Sequence, residues 1–191
     1  MYLIFAHRDY PIEKYTAIYK RLLSYKNELE KRLNVVRDGE FWWQIPYTIT
    51  YRAKLLIPKI IYPETTVRRS EFCIDNDSIF IDKTCFMITG VSLHYLNAVL
   101  ASKVMEWYLE TELRLLGKNS IQYSKQYIEN VPIPKLNKKT QEPFIKLVDE
   151  IMENKKQGKA TADLEREIDI MVYKPTNLLT KKLQLWKVES K

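Results

Sequence analysis

Apolar residues recur three or four positions apart in two long stretches of the chain, which predicts two amphipathic helices. The first stretch follows Asp9, which can cap a helix, and Pro11, which suits a first turn; its apolar stripe runs from Tyr15 to Leu33. The second stretch begins at Ser92, which can also act as a cap, and continues to Leu116. We therefore expect one helix near the start of the chain and one long helix in its middle.

The last part of the chain has the same helical spacing. Thr140 can cap a helix that Gly158 ends, and Thr161 can cap another helix that Pro175 ends. Because only a short loop separates these two elements, the pattern predicts an antiparallel helical hairpin. The tail from Leu178 to Lys191 is basic and weakly patterned, so we expect it to fray.

Between the two long helices, residues from Phe41 to Gly90 are rich in aromatic and β-branched side chains, which is typical of strands. Asp75–Ser78 consists of residues that tolerate turn geometry and is predicted to be a hairpin turn. After the central helix we expect a polar loop, a short helix over Ser124–Asn130 and an extended Val131–Pro134 segment. The predicted strands are Trp42–Ile45, Lys59–Tyr62, Phe72–Ile74, Ile79–Ile81 and Cys85–Thr89.

The positive charge of the chain is concentrated in two windows. The formal net charge is +7; residues 44–69 contain five basic residues against one acid, and residues 114–139 contain six against one. Together the windows carry more positive charge than the whole chain, so the remainder is slightly acidic. This distribution indicates a polyanion-binding face built from two separate segments. The alternative is that these lysines and arginines only solubilise loops.

The two cysteines, Cys73 and Cys85, lie in apolar, strand-like stretches and are expected to be unpaired and mostly buried. With only two histidines besides, a zinc site is not expected. No apolar run approaches the roughly 18 residues that cross a bilayer. The sequence is therefore expected to belong to a cytoplasmic protein without membrane association.

Sequence signatures of catalysis are absent from the chain. It contains neither a Gly-rich phosphate loop nor an HExxH or Cys–His cluster, so no catalytic, metal or cofactor site is predicted. A metal-dependent nuclease site, which requires converging carboxylates and a nearby lysine, remains an alternative. Acids beside a hairpin are also common for turn reasons. The residues that this alternative would use are Glu71, Asp75, Asp77, Asp82 and Lys83.

Candidate DNA-contacting residues lie inside the two basic windows. Adjacent arginines can hold phosphate or contact guanine through a bidentate fork, while side-chain amides pair with adenine and lysines bind phosphate. A solvated connector and a purely structural loop are the competing interpretations of these segments. The candidates are Arg52, Lys54, Arg68, Arg69, Lys118, Asn119, Gln122, Tyr123 and Lys125, among which Arg68, Arg69, Asn119 and Gln122 are the predicted base readers and Arg52 and Lys54 weaker ones.

Several sequence segments occur in an informative order. They are Leu29–Arg32, Phe41–Ile45, Pro58–Pro63, Phe72–Asp75, Cys85–Gly90, Leu96–Lys103 and Gln126–Pro134. In this order they resemble the TaqI-like C-terminal specificity domain of type IIG restriction-modification enzymes and related adenine-specific DNA methyltransferases. Pro58–Pro63 is similar to the family's Lys-Ile-apolar-Tyr/Phe-Pro strand, and Gln126–Pro134 to its Tyr-apolar-Glu-x-Leu-Pro-Ile-Pro ending. The resemblance covers about residues 10–136.

The resemblance implies an α+β fold with a small, twisted, mostly antiparallel sheet that is flanked by helices and followed by a C-terminal helical hairpin. It implies three parts, namely an N-terminal linker helix (residues 1–40), a target-recognition domain (41–139) and the hairpin with its tail (140–191). Glu167–Tyr173 is similar to the helix that such enzymes carry after this domain. Pro175, however, stands where that helix would continue.

The resemblance also implies that the chain selects a sequence on duplex DNA for a methyltransferase or endonuclease domain on the same or another chain. The methyltransferase motif (N/D)PP(Y/F) is absent, so a fragment or a stand-alone specificity chain is expected. S-adenosylmethionine is implied only for the partner domain. Two alternatives stay open: a protein-docking module of a restriction-modification complex, and the metal-dependent nuclease.

Overall fold

The computed structural model describes residues 4–45, 52–66, 71–112, 115–116, 120–176 and 185–186. The chain divides into two compact units, Met1–Ala53 and Lys54–Lys191. The expected division into residues 1–40, 41–139 and 140–191 stays a prediction.

The described residues form nine α-helices, eight short strands and one 3-10 turn at Ile12–Lys14. The helices are α1 (Thr16–Leu23), α2 (Lys26–Leu29), α3 (Leu33–Val36), α4 (Arg52–Leu55), α5 (Leu93–Leu100), α6 (Lys103–Glu112), α7 (Lys125–Ile128), α8 (Lys138–Lys156) and α9 (Ala162–Thr176). The strands are β1 (Lys59–Pro63), β2 (Thr65–Thr66), β3 (Cys73–Asp75), β4 (Cys85–Ile88), β5 (Leu115–Leu116), β6 (Ser120–Gln122), β7 (Ile133–Pro134) and β8 (Leu185–Trp186).

Small antiparallel sheets and helices make up the second unit, which confirms the predicted α+β class. The first sheet has the order β3-β1-β4, with both neighbours antiparallel to β1. A second sheet has the order β2-β6-β5, and β7 pairs with β8. The predicted strands over Lys59–Tyr62, Phe72–Ile74 and Cys85–Thr89 correspond to β1, β3 and β4.

Helix α5 lies at the centre of the second unit's hydrophobic core. It packs against α8 and α9 on one side and against β1 and β3 on the other. Tyr95 of α5 places its ring edge-on to Phe144 of α8, at 5.3 Å between ring centroids. Its hydroxyl donates a 2.6 Å hydrogen bond to the Pro134 carbonyl, and burial raises the pKa of this hydroxyl. The Val131–Pro134 segment is therefore held against the core by a buried tyrosine.

A buried ion pair joins β1 to β3. Lys59 is fully buried and Asp75 has a side-chain exposure of 3%, and their charged groups form a short hydrogen bond. The Lys59 ammonium also donates to the Leu55 carbonyl at 2.8 Å. The Asp75 carboxylate accepts two backbone N–H bonds, from Asp77 and Ile79, both at 2.9 Å. Because each charged group has further hydrogen-bond partners, part of the free-energy cost of burying the two charges is offset.

The first unit departs from the sequence expectation. The helix predicted over Tyr15–Leu33 is divided into α1, α2 and α3, with an extended backbone at Arg32. The Arg32 guanidinium donates to the carbonyls of Trp42 at 2.6 Å and Gln44 at 2.7 Å. The strand predicted over Trp42–Ile45 is wrong, since these residues form a turn whose carbonyls are satisfied by an arginine instead of a neighbouring strand.

A small hydrophobic cluster fills the first unit. Ala6, Ile12 and Trp43 are its buried members, and the Trp43 ring stacks on Phe41 at 5.1 Å. The partly buried residues packed against it are Ile18, Tyr19, Leu22, Trp42 and Ile45. The apolar stripe of α1 thus packs as its spacing predicted, although the helix is shorter than expected.

The strand predicted over Ile79–Ile81 is also wrong. Both edges of β1 are already occupied, by β3 and β4. The Ile79 amide bonds to the Asp75 carboxylate, and Ser78 adopts a left-handed backbone with φ of 58°. Asp75–Ser78 is a turn, as predicted, but the chain that follows it does not pair with β3.

The long central helix is interrupted. The Ser102 hydroxyl donates to the Val99 carbonyl at 2.7 Å and accepts from the Met105 amide at 3.3 Å, which ends α5 and caps α6. Residues 115–116 form β5, so the predicted continuation of the helix to Leu116 is wrong. Ser92 has a left-handed backbone and makes no side-chain cap bond.

Helices α8 and α9 form the predicted pair and pack against each other. Asn137, not Thr140, caps α8: its side-chain oxygen accepts from the Thr140 amide at 2.9 Å. Gly158 follows α8 with φ of +68°, as expected for a helix end. Helix α9 continues to Thr176, so the prediction that Pro175 stops it is wrong. Most of the predicted fraying tail lies outside the described residues.

Both cysteines are free, as predicted, but the expectation of burial is wrong for Cys73. It is exposed on β3, an edge strand of the first sheet, whereas Cys85 is half-buried on β4. Within the described ranges, no helix combines the length and the apolar character needed to cross a bilayer.

Replacing Lys59 by methionine is expected to lower the free energy of unfolding by about 3–5 kcal/mol, because the Asp75 carboxylate would remain buried without its counter-charge. Urea denaturation of the full chain measures this loss. Lys83→Met, on an exposed lysine of the loop before β4, is the matched control and should change stability by less than about 0.5 kcal/mol. A loss below about 1 kcal/mol for Lys59→Met would contradict the role assigned to the pair.

Candidate nucleic-acid interface

The β2-β6-β5 sheet brings together segments that are far apart in the sequence. Thr66 of β2 lies opposite Ile121 of β6, which in turn lies opposite Leu115 of β5. Because both pairings are antiparallel, the chain leaves β2, leaves β5 and enters β6 at the same end of the sheet. Residues 67–69 of the first basic window and 117–119 of the second therefore adjoin the same end of the sheet in the sequence.

Four of the predicted contacts adjoin this sheet end in the sequence. Arg68 and Arg69 follow β2, and Lys118 and Asn119 stand between β5 and β6. All four lie outside the described residues. The structure thus locates the strands from which these segments depart, and the segments' own contacts stay predictions.

Gln122 and Tyr123 lie on opposite faces of the chain at β6. Ile121 and Tyr123 are buried, whereas Ser120 and Gln122 are half-buried on the other face, as period-two alternation requires. Tyr123 is 1% exposed, and its ring lies 5.9 Å from that of Phe72. The prediction that Tyr123 contacts DNA is therefore corrected: in this conformation its side chain is a core residue. Gln122 presents its amide on the half-buried face.

Thr65 shares the outward side of this sheet with Gln122, its Cα partner across β2 and β6. Thr65 is exposed, while its neighbour Thr66 is 7% exposed and faces the opposite way. Sequence reasoning missed Thr65 because a two-residue strand gives no periodicity signal of its own. The alternation of polar and apolar residues from Ser120 to Tyr123 is the sequence signal that could have indicated a strand here, with Gln122 on its outward face.

Lys125 is exposed on α7, directly after this sheet, but its charge is partly balanced. Its ammonium lies 3.4 Å from a Glu129 carboxylate oxygen, one helical turn further along. An exposed pair of this kind contributes little to stability and separates readily when a stronger anion approaches. The predicted phosphate contact of Lys125 stays a prediction.

Arg52 has a structural environment in the first unit. Its guanidinium lies 5.5 Å from the centre of the Tyr10 ring and 5.7 Å from that of Phe5, and it donates a short hydrogen bond to the Tyr10 hydroxyl. These contacts give Arg52 a structural role, although its buried Nε has no hydrogen-bond partner. Lys54 is half-exposed in α4, at the start of the second unit.

Two of the four acids of the nuclease alternative, Asp75 and Asp82, have structural partners. Asp75 is paired with Lys59 in the core. Asp82 accepts hydrogen bonds from the Thr84 hydroxyl at 2.5 Å and amide at 2.8 Å, which lower the pKa of its carboxyl. Within the described part of the chain, no three His, Cys, Asp or Glu side chains converge on a common metal position.

The described residues form an α+β module in which β2, β5 and β6, strands next to basic stretches of the sequence, share one sheet. The family of TaqI-like C-terminal specificity domains matches residues 8–133, and the chain belongs to that family. This confirms the resemblance inferred from about residues 10–136. The family is named for specificity and not for catalysis.

One relative is named for a catalytic activity, as a methyltransferase. The chain is 29% identical over 177 residues to the Type II methyltransferase M.MjaIV of Methanocaldococcus jannaschii. The match covers 86% of this chain and 56% of that enzyme, so the chain spans about half the length of the relative.

Because Tyr123 faces the core and Gln122 faces outward, substitutions at these two residues should change the stability of the fold by different amounts. Tyr123→Ala is expected to lower the free energy of unfolding by about 3–5 kcal/mol, because it leaves a cavity beside Phe72. Gln122→Ala, on the outward face, should cost less than about 1 kcal/mol. Thermal and urea unfolding of both variants measures the difference, and equal losses would contradict the assigned facing.

Proposed function

We propose that this chain binds duplex DNA at a specific sequence and directs an adenine methyltransferase domain on the same or another chain. The observation that carries the proposal is the arrangement of β2, β5 and β6, which places at one sheet end the strand ends that Arg68, Arg69 and Lys118 adjoin in the sequence. Membership of a specificity-domain family supports it independently. A reader of several base pairs needs separate loops on one face, and this sheet end supplies their anchor points.

In this proposal, lysines and arginines serve different purposes. Lys118 and Lys125 neutralise phosphates and set affinity without carrying sequence information. Arg68, Arg69, Asn119 and Gln122 reach base edges, where forked guanidinium groups pair with guanine and amides pair with adenine. Arg52 has only a minor role at most, since its guanidinium already contacts Tyr10 and Phe5.

The chemical step belongs to the partner in this proposal. A methyltransferase acting on adenine must extrude the base from the duplex, and the specificity domain holds the surrounding sequence in register meanwhile. S-adenosylmethionine would bind to that catalytic part, and the chain alone would neither methylate nor cleave DNA. The methyltransferase named among its relatives supports this partner.

Phosphate binding predicts a salt dependence. Lys118→Ala and Lys125→Ala should each reduce the magnitude of the slope of log K against log salt by about one, and should weaken all duplex sequences equally. Fluorescence anisotropy with a labelled duplex at several salt concentrations measures the slope. Lys146→Ala on α8, outside both basic windows, is the control for net charge and should leave the slope nearly unchanged.

An unchanged slope in the double lysine variant would place the phosphate contacts elsewhere. A chain that binds no duplex at low salt, but retains salt-insensitive binding to a methyltransferase, would favour the protein-docking alternative. Magnesium-dependent cleavage or methyl transfer by the purified chain would refute the proposal that a partner domain carries out the catalytic step.

Base reading predicts a different response. Alanine at a true reader among Arg68, Arg69, Asn119 and Gln122 should relax preference at one base position by about 1–3 kcal/mol and leave the others intact. Selection from a random duplex library, followed by sequencing, measures the preference of each variant. Lys118→Ala, which should lower affinity uniformly, is the control. Four variants with identical preferences at every position would contradict these assignments.

A further inference from the structure

We infer that Thr65 and Gln122 form a single unit that recognises one A·T base pair through its major-groove edge. The inference rests on the proposed DNA-binding function and extends it to a residue that neither the sequence pattern nor the family match singles out. Its basis is the register of β2 and β6, which places a threonine beside a glutamine on the outward face of the sheet.

The hydrogen-bond ladder determines how close these two side chains are. The Tyr123 amide donates to the Glu64 carbonyl at 2.8 Å, so residues 64 and 123 occupy a hydrogen-bonded position of the antiparallel pair. The alternation of such ladders makes the next pair, Thr65 and Gln122, a non-hydrogen-bonded one. In these pairs the side chains approach most closely, with Cβ atoms about 4.5–5.5 Å apart. The two side chains thus reach the same base pair.

Burial determines which residues of the two strands are able to face a ligand. Thr66 and Tyr123 are buried, whereas Thr65 is exposed and Gln122 half-buried. Thr65 and Gln122 lie at the end of the sheet where the chain enters β2 and leaves β6. The exposed Lys125 of the second basic window follows Gln122 by three residues and would attract the duplex phosphates. The outward pair is uncharged itself, and in sequence its nearest described basic residue after β6 is Lys125.

The chemistry of the pair fits adenine and thymine. A glutamine amide donates to one acceptor and accepts from one donor, which matches adenine N7 and N6. A threonine methyl group makes apolar contact with the thymine 5-methyl group. In an A·T pair these features share one groove edge. A G·C pair offers no methyl group there and gives the amide a mismatched donor pattern.

The test uses the full chain and a random duplex DNA library, from which the preferred sequence is selected. Each thymine of that sequence is then replaced singly by uracil, which deletes only the methyl group. Each adenine is replaced by 7-deazaadenine, which deletes only the N7 acceptor. Binding is compared for the native chain, Thr65→Ser and Gln122→Ala. Thr66→Ser is the matched control, because it removes the same methyl group from the buried face of the same strand.

We expect one thymine whose replacement weakens native binding about fourfold, the value of one buried methyl group. Thr65→Ser should bind the thymine and uracil duplexes equally, while Thr66→Ser should keep the native difference. The adenine paired with that thymine should show a roughly three- to tenfold loss on N7 deletion. Gln122→Ala should abolish this second loss.

Two results would overturn the inference alone: no thymine whose methyl effect depends on Thr65, or Gln122-dependent adenine sensitivity at a different base pair. Both leave the proposed function intact, because selection has then yielded a specific site. A library that yields no preferred sequence at low salt would overturn the proposed function and the inference together.

Discussion

The buried pair of Lys59 and Asp75 fixes the geometry on which the sheets depend. It aligns the first residue of β1 with the last residue of β3, and its carboxylate shapes the turn that follows by accepting the amides of Asp77 and Ile79. Removing one charge is costly in the protein interior, so a shifted register, which would separate the two groups, is disfavoured. Since β2 follows β1 after a single residue, the position of Thr65 depends on this pair.

This pair also shows why net charge overstates the charge available to a ligand. Lys59 lies within the first basic window, yet it is fully buried. Arg52, in the same window, contacts two aromatic rings of its own unit. Arg32, outside both windows, donates hydrogen bonds to three backbone carbonyls. The remaining basic residues of the first window are Lys54, Arg68 and Arg69. Two of these three follow β2, so the proposed interface depends on this segment more than the charge count of the window suggests.

Much of the fold was predictable because its apolar residues are regularly spaced. The strands β1, β3 and β4, helix α7 and the α8–α9 pair were all anticipated from spacing and turn residues. The failures have side-chain causes that spacing does not report: Ser102 interrupts the central helix through its hydroxyl, Arg32 replaces a strand partner, and Asp75 withdraws the Ile79 amide from pairing. The charge distribution along the sequence was enough to choose the candidate segments. It could not show that Tyr123 faces the core or that Thr65 lies beside Gln122, because both depend on the register between strands that are distant in sequence.

The way in which the second sheet is assembled has an evolutionary consequence. Thr65 and Gln122 come from strands that are separated along the chain by β3, β4 and the central helices, yet the backbone ladder holds them side by side. The stretches after β2 and between β5 and β6 are thus tethered at fixed points on a shared frame. In the proposed function, changes in either stretch alter the DNA-contacting residues, while the strands that anchor these stretches keep the same ladder. The recognised sequence would then diverge through two short regions without rebuilding the core.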